Sequence, residues 1–450
     1  MTPRDGAGAM PGHAVPPRQR RPAPAPVADS PRVGRLVRDV ADGGARVVDA
    51  FWAEAAAAGT PLIESVPGGD GASGDEVIAT FLWRGAGGDR GATALVNKLH
   101  DRANPEASRM RRVEGTDVWW LGYRLPSDWR GSYQFMPDVA QDGGAPTVTA
   151  AAAVPDPLNP HRLAQPGGAP DKSVAAMPDA PDPGHLETEP GTPAGRVVEH
   201  GFTSAALGNR RRVWVHTPHG YDGHGEGDGP YPLLVLLDGA AWFETAPIAP
   251  ALDRLYAEGA LPPAVTVGVD TLGASVRGEE LTCHEPFVRF VTDELLPWVE
   301  RRWAVTGDPA RTVIAGQSLG GLAAAFIAGA APERIGCVLA QSPSLWWGGR
   351  ERSGNEHGGN APGAAAQGAG GAARREWLTD WYARRERLPL RLYLEVGCDE
   401  WVNLAPARRF RDVLRGKGYP LDYREFSGGH DNACWRVGLA GGLQSIARHW

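Results

Sequence analysis

Ser318 lies in the stretch Val313-Ile314-Ala315-Gly316-Gln317-Ser318-Leu319-Gly320-Gly321-Leu322-Ala323-Ala324-Ala325-Phe326. A short apolar run ends at Gly316 and an Ala-rich segment starts past Gly320. The G-x-S-x-G between them reads as a nucleophile elbow, where a strand turns sharply into a helix and lifts a hydroxyl above the sheet. Glycine is expected at 316 and 320 because the turn is tight and side chains there would strike the neighbouring strand and helix. The chemistry implied is attack on an acyl carbon. That needs a base, an acid to orient the base, and donors for the oxyanion.

On this elbow the partners follow in the order Ser, acid, His. Of the 12 histidines only His357, His430 and His449 come after Ser318. His357 falls in a Gly/Ala-rich stretch and His449 at the C-terminus. His430 follows a strand-like Asp422–Phe426 and the turn Ser427-Gly428-Gly429, whose glycines are expected to let the imidazole reach back toward Ser318, so it is the expected base. The acid should stand just after the preceding strand, at Asp399 or Glu400, and the residues alone leave both open. One oxyanion donor is the Leu319 N–H; the other should come from the Asp238-Gly239-Ala240-Ala241-Trp242 loop, through Gly239 or Ala240, with Gly239 permitting an unusual backbone. Asp238 reads as a turn-fixing residue.

These residues need a scaffold. From residue 196 on, apolar runs (Val213–Val215, Leu233–Leu237, Val265–Val269, Thr312–Ala315, Val338–Ala340, Leu390–Val396) alternate with helical patterns such as Glu285–Trp303. Near-continuous apolar strands between helices imply a mostly parallel sheet covered on both faces, the α/β-hydrolase arrangement. Residues 348–375 read as a low-complexity insertion. Ahead of this domain, residues 31–160 predict one helix over Val33–Ala58 and then short aromatic strands at Val77–Trp83, Thr93–Val96, Val118–Leu125 and Ser132–Met136, a small β-sandwich. Residues 161–195 read as a Pro-rich linker without a core, and 1–30 as a disordered tail.

Composition sets the limits. The 450 residues carry a net charge of −7, which argues against nucleic acid as a partner. No run reaches membrane-spanning length and the N-terminus lacks an apolar leader core, so a cytoplasmic protein with no membrane partner is expected. Cys283, Cys337, Cys398 and Cys434 lack metal-ligand spacing. A Cys398–Cys434 disulfide is conceivable; reduced thiols are the favoured reading. No metal site or cofactor is expected, and a monomer is the default.

Several stretches together resemble the enterochelin (enterobactin) esterase family: Leu236-Leu237-Asp238-Gly239, Arg277-Gly278-Glu279-Glu280-Leu281, Gly316–Gly321, Gln341-Ser342-Pro343-Ser344-Leu345-Trp346-Trp347 and Gly428–Arg436 in the second half. In the first half they are Thr80–Arg84, Gly115–Trp119, Arg124–Asp128 and Asp156–Pro160. The resemblance implies cytoplasmic hydrolysis of a ferric tris-catecholate siderophore built on a seryl trilactone, with iron entering only as part of the substrate. The family's Gly-x-x-Glu pattern falls on Gly397 and Glu400, which favours Glu400 over Asp399. It also places Arg277 beside the substrate. Arg436 is a second candidate cation for the anionic ligand, and Trp242, Trp346 and Trp347 could stack on catechol rings. Two alternatives stand beside this: an aryl or feruloyl-type esterase on the same fold, and a non-catalytic siderophore-binding protein with a vestigial triad.

Overall fold

The computed structural model describes residues 21–67, 75–86, 89–139, 153–186, 189–223, 230–349 and 376–450. The first nine strands are β1 (Val27–Ala28), β2 (Leu62–Ser65), β3 (Glu76–Arg84), β4 (Asp89–Val96), β5 (Arg111–Arg112), β6 (Val118–Pro126), β7 (Arg130–Val139), β8 (Arg162–Leu163) and β9 (Lys172–Ala176). They form two facing sheets, one in the order β1-β6-β3-β2 with β5 beside β6, the other β4-β7-β9-β8. Between them Ala79, Phe81, Leu121, Tyr123 and Leu125 meet Ala94, Val96, Tyr133, Phe135 and Ala175 at the period of two that a sandwich core requires.

The alternate residues of β3 and β6 are buried as well. Leu82, Val118 and Trp120 pack against Val33, Leu36, Phe51 and Trp52 of two helices, which is why these strands read as continuous apolar runs. The single helix expected over Val33–Ala58 is two helices, Pro31–Gly43 and Ala45–Ala58. Gly44, at φ 54° and ψ −140°, breaks the run.

Two boundaries differ from expectation. Residues 161–195 are not a coreless linker: β8 and β9 complete the second sheet, and Ala175 and Met177 enter its core. The prolines occupy the connections around these short strands and disguise them. Of the expected tail, residues 1–20 lie outside the described part, but Val27 and Ala28 pair with Tyr123 and Gly122. The insertion at 348–375 falls almost wholly outside the described residues.

The second unit is an eight-stranded sheet in the order β10-β11-β13-β12-β14-β15-β16-β17. Its strands are β10 (Arg196–Ser204), β11 (Asn209–Thr217), β12 (Leu233–Leu237), β13 (Val265–Val269), β14 (Thr312–Gln317), β15 (Cys337–Gln341), β16 (Arg391–Gly397) and β17 (Leu421–Phe426). β10 and β11 are antiparallel; β13 and β12 through β17 run parallel. Helices cover both faces: Val235, Leu237, Ile314, Val338 and Leu394 point into one core and Leu234, Leu236, Val313, Leu339 and Tyr393 into the other. Each such side chain contributes about 1.5–3 kcal/mol when fully buried. The strand ends β12, β14, β15, β16 and β17 therefore open on one crevice, where an open α/β sheet places its site.

Candidate active site

Ser318 directly follows β14 and sits at φ 58°, ψ −119°, a left-handed backbone that a non-glycine residue adopts only under constraint. The constraint is close packing between strand and helix. A Cβ on Gly316 would lie 2.4 Å from the Gly320 backbone. The helix Leu319–Ala330 starts at once, so the Leu319 N–H belongs to the first turn, whose donors lack intrahelical acceptors. The Ser318 hydroxyl shares a 3.2 Å hydrogen bond with Ser344 Oγ, and the Ser344 N–H donates to the Ser318 carbonyl at 2.9 Å.

The oxyanion loop follows β12. Its left-handed residue is Asp238 (φ 59°), not Gly239 as expected. Gly239 is glycine for another reason: a Cβ there would stand 2.7–2.8 Å from the Gly268–Val269 backbone. Asp238 anchors the turn. Its carboxylate accepts two hydrogen bonds from Arg277, both 2.7 Å, and one of 2.9 Å from Thr271 Oγ1. Burial opposes the charge, but the Arg277 guanidinium outweighs it and holds the Asp238 carboxyl below the ordinary range. Arg277, expected on the substrate, braces the loop that carries Gly239 and Ala240 and keeps 26% of its side chain exposed.

Glu400 and His430 come together across the ends of β16 and β17. His430 Nδ1 lies 2.6 Å from Glu400 Oε2, and the Glu400 side chain has no solvent exposure while that of His430 has 24%. Glu400 also accepts from Ser342 Oγ, from the Gly397 N–H at 2.9 Å and from Asn403 Nδ2 at 2.7 Å. Burial alone would push this carboxyl up; the facing imidazole and these donors reverse the sign and hold it below the usual glutamate value. An ionised, fully hydrogen-bonded carboxylate fixes which imidazole nitrogen carries the proton. Trp435 packs edge-on to the His430 ring at 4.6 Å and donates its indole N–H to Ser342 Oγ at 2.9 Å, closing the network.

Asp399, the alternative acid, accepts a 2.9 Å hydrogen bond from Trp129 Nε1 of the N-terminal unit, while the imidazole pairs with Glu400. The three tryptophans expected to stack on ligand are core residues. Trp242 is 2% exposed and donates to Gln317 Oε1 at 3.1 Å, while Trp346 and Trp347 belong to the main cluster. Arg436 is half-buried on the helix Asn432–Ala447, with no carboxylate at ion-pair distance among the described residues. Cys398 and Cys434 are not bonded; all four cysteines are free, and the Cys434 thiol donates to the Arg130 carbonyl.

Gly428 and Gly429, expected to give the imidazole reach, serve domain docking. A Cβ on Gly428 would lie 2.5 Å from the Arg130 carbonyl, and one on Gly429 would lie 2.4 Å from Asn97 Oδ1 and Lys98 Cγ. The N-terminal sandwich presses directly on this loop. Arg130 N–H donates to the Ser427 carbonyl at 3.0 Å, Ser132 N–H to Asp431 Oδ2 at 2.5 Å, and Asn97 Nδ2 to the His430 carbonyl at 3.2 Å.

With this geometry in place the comparisons are informative. Residues 78–185 match the family model described as enterochelin esterase, N-terminal, and residues 204–446 the model described as putative esterase. The chain belongs to the enterochelin esterase family. The iron(III) enterobactin esterase of Dickeya dadantii is 31% identical over 88% of this chain and 92% of its own length. That of Escherichia coli K12 is 33% identical over 82% and 91%. Among solved structures, the ferric enterobactin esterase of Salmonella typhimurium superposes with a TM-score of 0.71 at 31% identity over 89% of this chain and 98% of that one. The Shigella flexneri enterobactin esterase crystallised in the presence of enterobactin gives 0.70 at 30% over the same shares.

Sequence reasoning missed several residues that meet at this site. Ser342, Ser344 and Asn403 hold the acid and the nucleophile, and Asn97 and Lys98 come from the other domain. Ser342 and Ser344 were visible as part of a family-like stretch. Nothing local marks Asn97 or Lys98, because their neighbours at the site lie more than three hundred residues away in sequence.

Proposed function

We propose that this chain is a serine esterase that opens the ester bonds of a ferric tris-catecholate siderophore of enterobactin type. The observation that carries the reading is the 2.6 Å His430–Glu400 pair set at the sheet edge that bears the Ser318 elbow, in a chain alignable over about nine-tenths of both lengths with an iron(III) enterobactin esterase.

Glu400 accepts the His430 Nδ1 proton, leaving Nε2 as the base. On substrate binding the Ser318 hydroxyl turns from Ser344 to His430, since catalytic hydrogen bonds often tighten only in the complex. Ser318 Oγ attacks the ester carbonyl, forming the C–O bond as its proton passes to Nε2. The Leu319 N–H and a Gly239 or Ala240 N–H receive the oxyanion. The ester C–O bond then breaks and the leaving hydroxyl takes the proton from His430. Water, deprotonated by His430, releases the acyl group and restores Ser318. Opening the trilactone removes the preorganisation that lets three catechols grip one ion.

Iron enters as part of the substrate, and the chemistry calls for no cofactor. Among the described residues no group of three or more His, Cys, Asp or Glu side chains could hold a metal, and no helix is long and apolar enough to cross a membrane. A cytoplasmic monomer acting on a small molecule, without nucleic acid or membrane as partner, fits this chemistry.

The test is hydrolysis of ferric and iron-free enterobactin by the wild type and by Ser318→Ala, with products separated by chromatography. Release of dihydroxybenzoyl-serine that disappears in Ser318→Ala is the expected result. Turnover of a simple aryl ester but not of the siderophore would overturn the substrate assignment, and tight binding without turnover of either would overturn the enzyme.

A further inference from the structure

The proposed substrate is an anion, yet the protein carries a net charge of −7 and Arg277 is engaged by Asp238. The charge of the ligand calls for a further cation beside Arg277, whose side chain keeps 26% of its exposure. Lys98 meets the requirements. It follows β4 in a tight turn closed by the His100 N–H on the Val96 carbonyl at 2.9 Å. Its backbone is left-handed at φ 59°, a conformation in which glycine or asparagine would be at ease and a lysine is held under strain. The position is therefore poorly explained by the turn; the side chain has to account for it.

That side chain crosses the domain boundary. Its stem lies where a Gly429 Cβ would be, beside His430, and its ammonium sits 4.9 Å from the centre of the Trp401 ring, next to Glu400. Asn97 Nδ2 ties the same turn to the His430 carbonyl. No carboxylate reaches the Lys98 ammonium within ion-pair distance among the described residues, and the four donors on Glu400 already occupy that acid. Half-buried without an anionic partner, the ammonium is held below its ordinary pKa, first by burial, with Glu400 pulling the other way and Arg102 adding to the fall. A partly desolvated cation over an aromatic face, with its nearest carboxylate beyond ion-pair distance and taken up by His430, is a place for an anion.

We propose that the Asn97–Arg102 turn of the N-terminal domain is the anion-recognition element of the site, with the Lys98 ammonium seating the negatively charged iron–catecholate portion of the substrate beside His430. This rests on the siderophore reading above. It gives the sandwich domain a specific part: it presents a charge to the esterase crevice. Each catechol loses both protons when it chelates iron, so the ferric complex carries negative charge that the iron-free trilactone lacks. Lys98 should therefore discriminate between the two.

The experiment measures kcat and KM for ferric and iron-free enterobactin in the wild type, Lys98→Met and Lys98→Arg, at low and high salt. The ratio of ferric to iron-free KM is expected to rise about tenfold in Lys98→Met, to return most of the way in Lys98→Arg, and to shrink in difference at high salt. Equal changes in both KM values, or a fall of kcat on both substrates at a constant ratio, would show that Lys98 only supports the His430 loop and would overturn the inference while leaving the esterase reading intact. Failure of the wild type to cleave either form would overturn both.

Discussion

The two sides of the crevice are built in opposite ways. The nucleophile side is held by its own domain: Gly316 against Gly320, Gly239 against β13, and Asp238 locked by Arg277. The histidine side leans on a second domain. Ser427, Gly428, Gly429, His430 and Asp431 each meet a residue between Asn97 and Ser132 of the sandwich, and Asp399 meets Trp129. A strained elbow can be stabilised by packing within one β-turn-α unit. A loop at the end of β17, near the edge of the sheet, has no following strand to pack on, and the N-terminal sandwich takes that place.

The largest effect should come from the acid that joins the two sides. Glu400→Gln is expected to lower kcat on an aryl ester by about 10³–10⁴-fold, because the imidazole loses both its orientation and the charge that stabilises imidazolium. The folded-state pKa of Glu400 lies below its ordinary value of 4.5. Its ionic contribution to stability is therefore fully present above that value and is lost as pH falls through the lower folded one. The stability gap between wild type and Glu400→Gln, followed by denaturant melts, should narrow on going from neutral pH to below 4.5; a gap that widens would contradict the shift.

Gly429→Val probes the docking directly. Its side chain must displace Asn97 and Lys98, so kcat should fall about a hundredfold as the His430 loop shifts. The domain junction should also become more open to limited proteolysis. Unchanged kcat would show that the histidine side does not depend on the sandwich. Asp238→Asn strikes the other side. Weakening a half-buried, bidentate pair costs roughly 2 kcal/mol, and a displaced oxyanion loop should lower kcat by about tenfold with proteolytic resistance at the domain junction as in the wild type. If this variant loosened the junction too, the division into two independently supported sides would fail. The smallest effect on kcat is expected from Trp129→Phe, which removes one hydrogen bond to Asp399. Because Trp129 is also fully buried in the sandwich core, roughly 2–3 kcal/mol of stability but only a few-fold loss of kcat should result, read by thermal unfolding and initial rates.

Much of this was legible without coordinates. The parallel strands read true because strands buried on both faces are continuous apolar runs; Leu233–Leu237 and Val265–Val269 match to the residue. The strands β8 and β9 were hidden because they are short and flanked by proline, so no period of two develops. The break at Gly44 was hidden because the apolar stripe continues on both sides of it.

The amino-acid sequence by itself determined the elbow at Ser318, the placing of His430 after the last strand and the positions of the sheet's apolar strands along the chain. These depend on neighbours within a few residues, on glycine sterics and on periodicity. The residues alone left Glu400 and Asp399 open and only the family's Gly-x-x-Glu pattern favoured Glu400; the tertiary structure puts Glu400 on the imidazole, since adjacent residues leave a turn in different directions and local sequence does not encode which one meets a distant ring. It alone showed that Arg277 is a clamp and that Trp242, Trp346 and Trp347 are core, because a polar handle and a large apolar face suit both fates equally. And it alone brought Lys98 to His430. That contact depends on how two domains pack, which no stretch of either chain half carries.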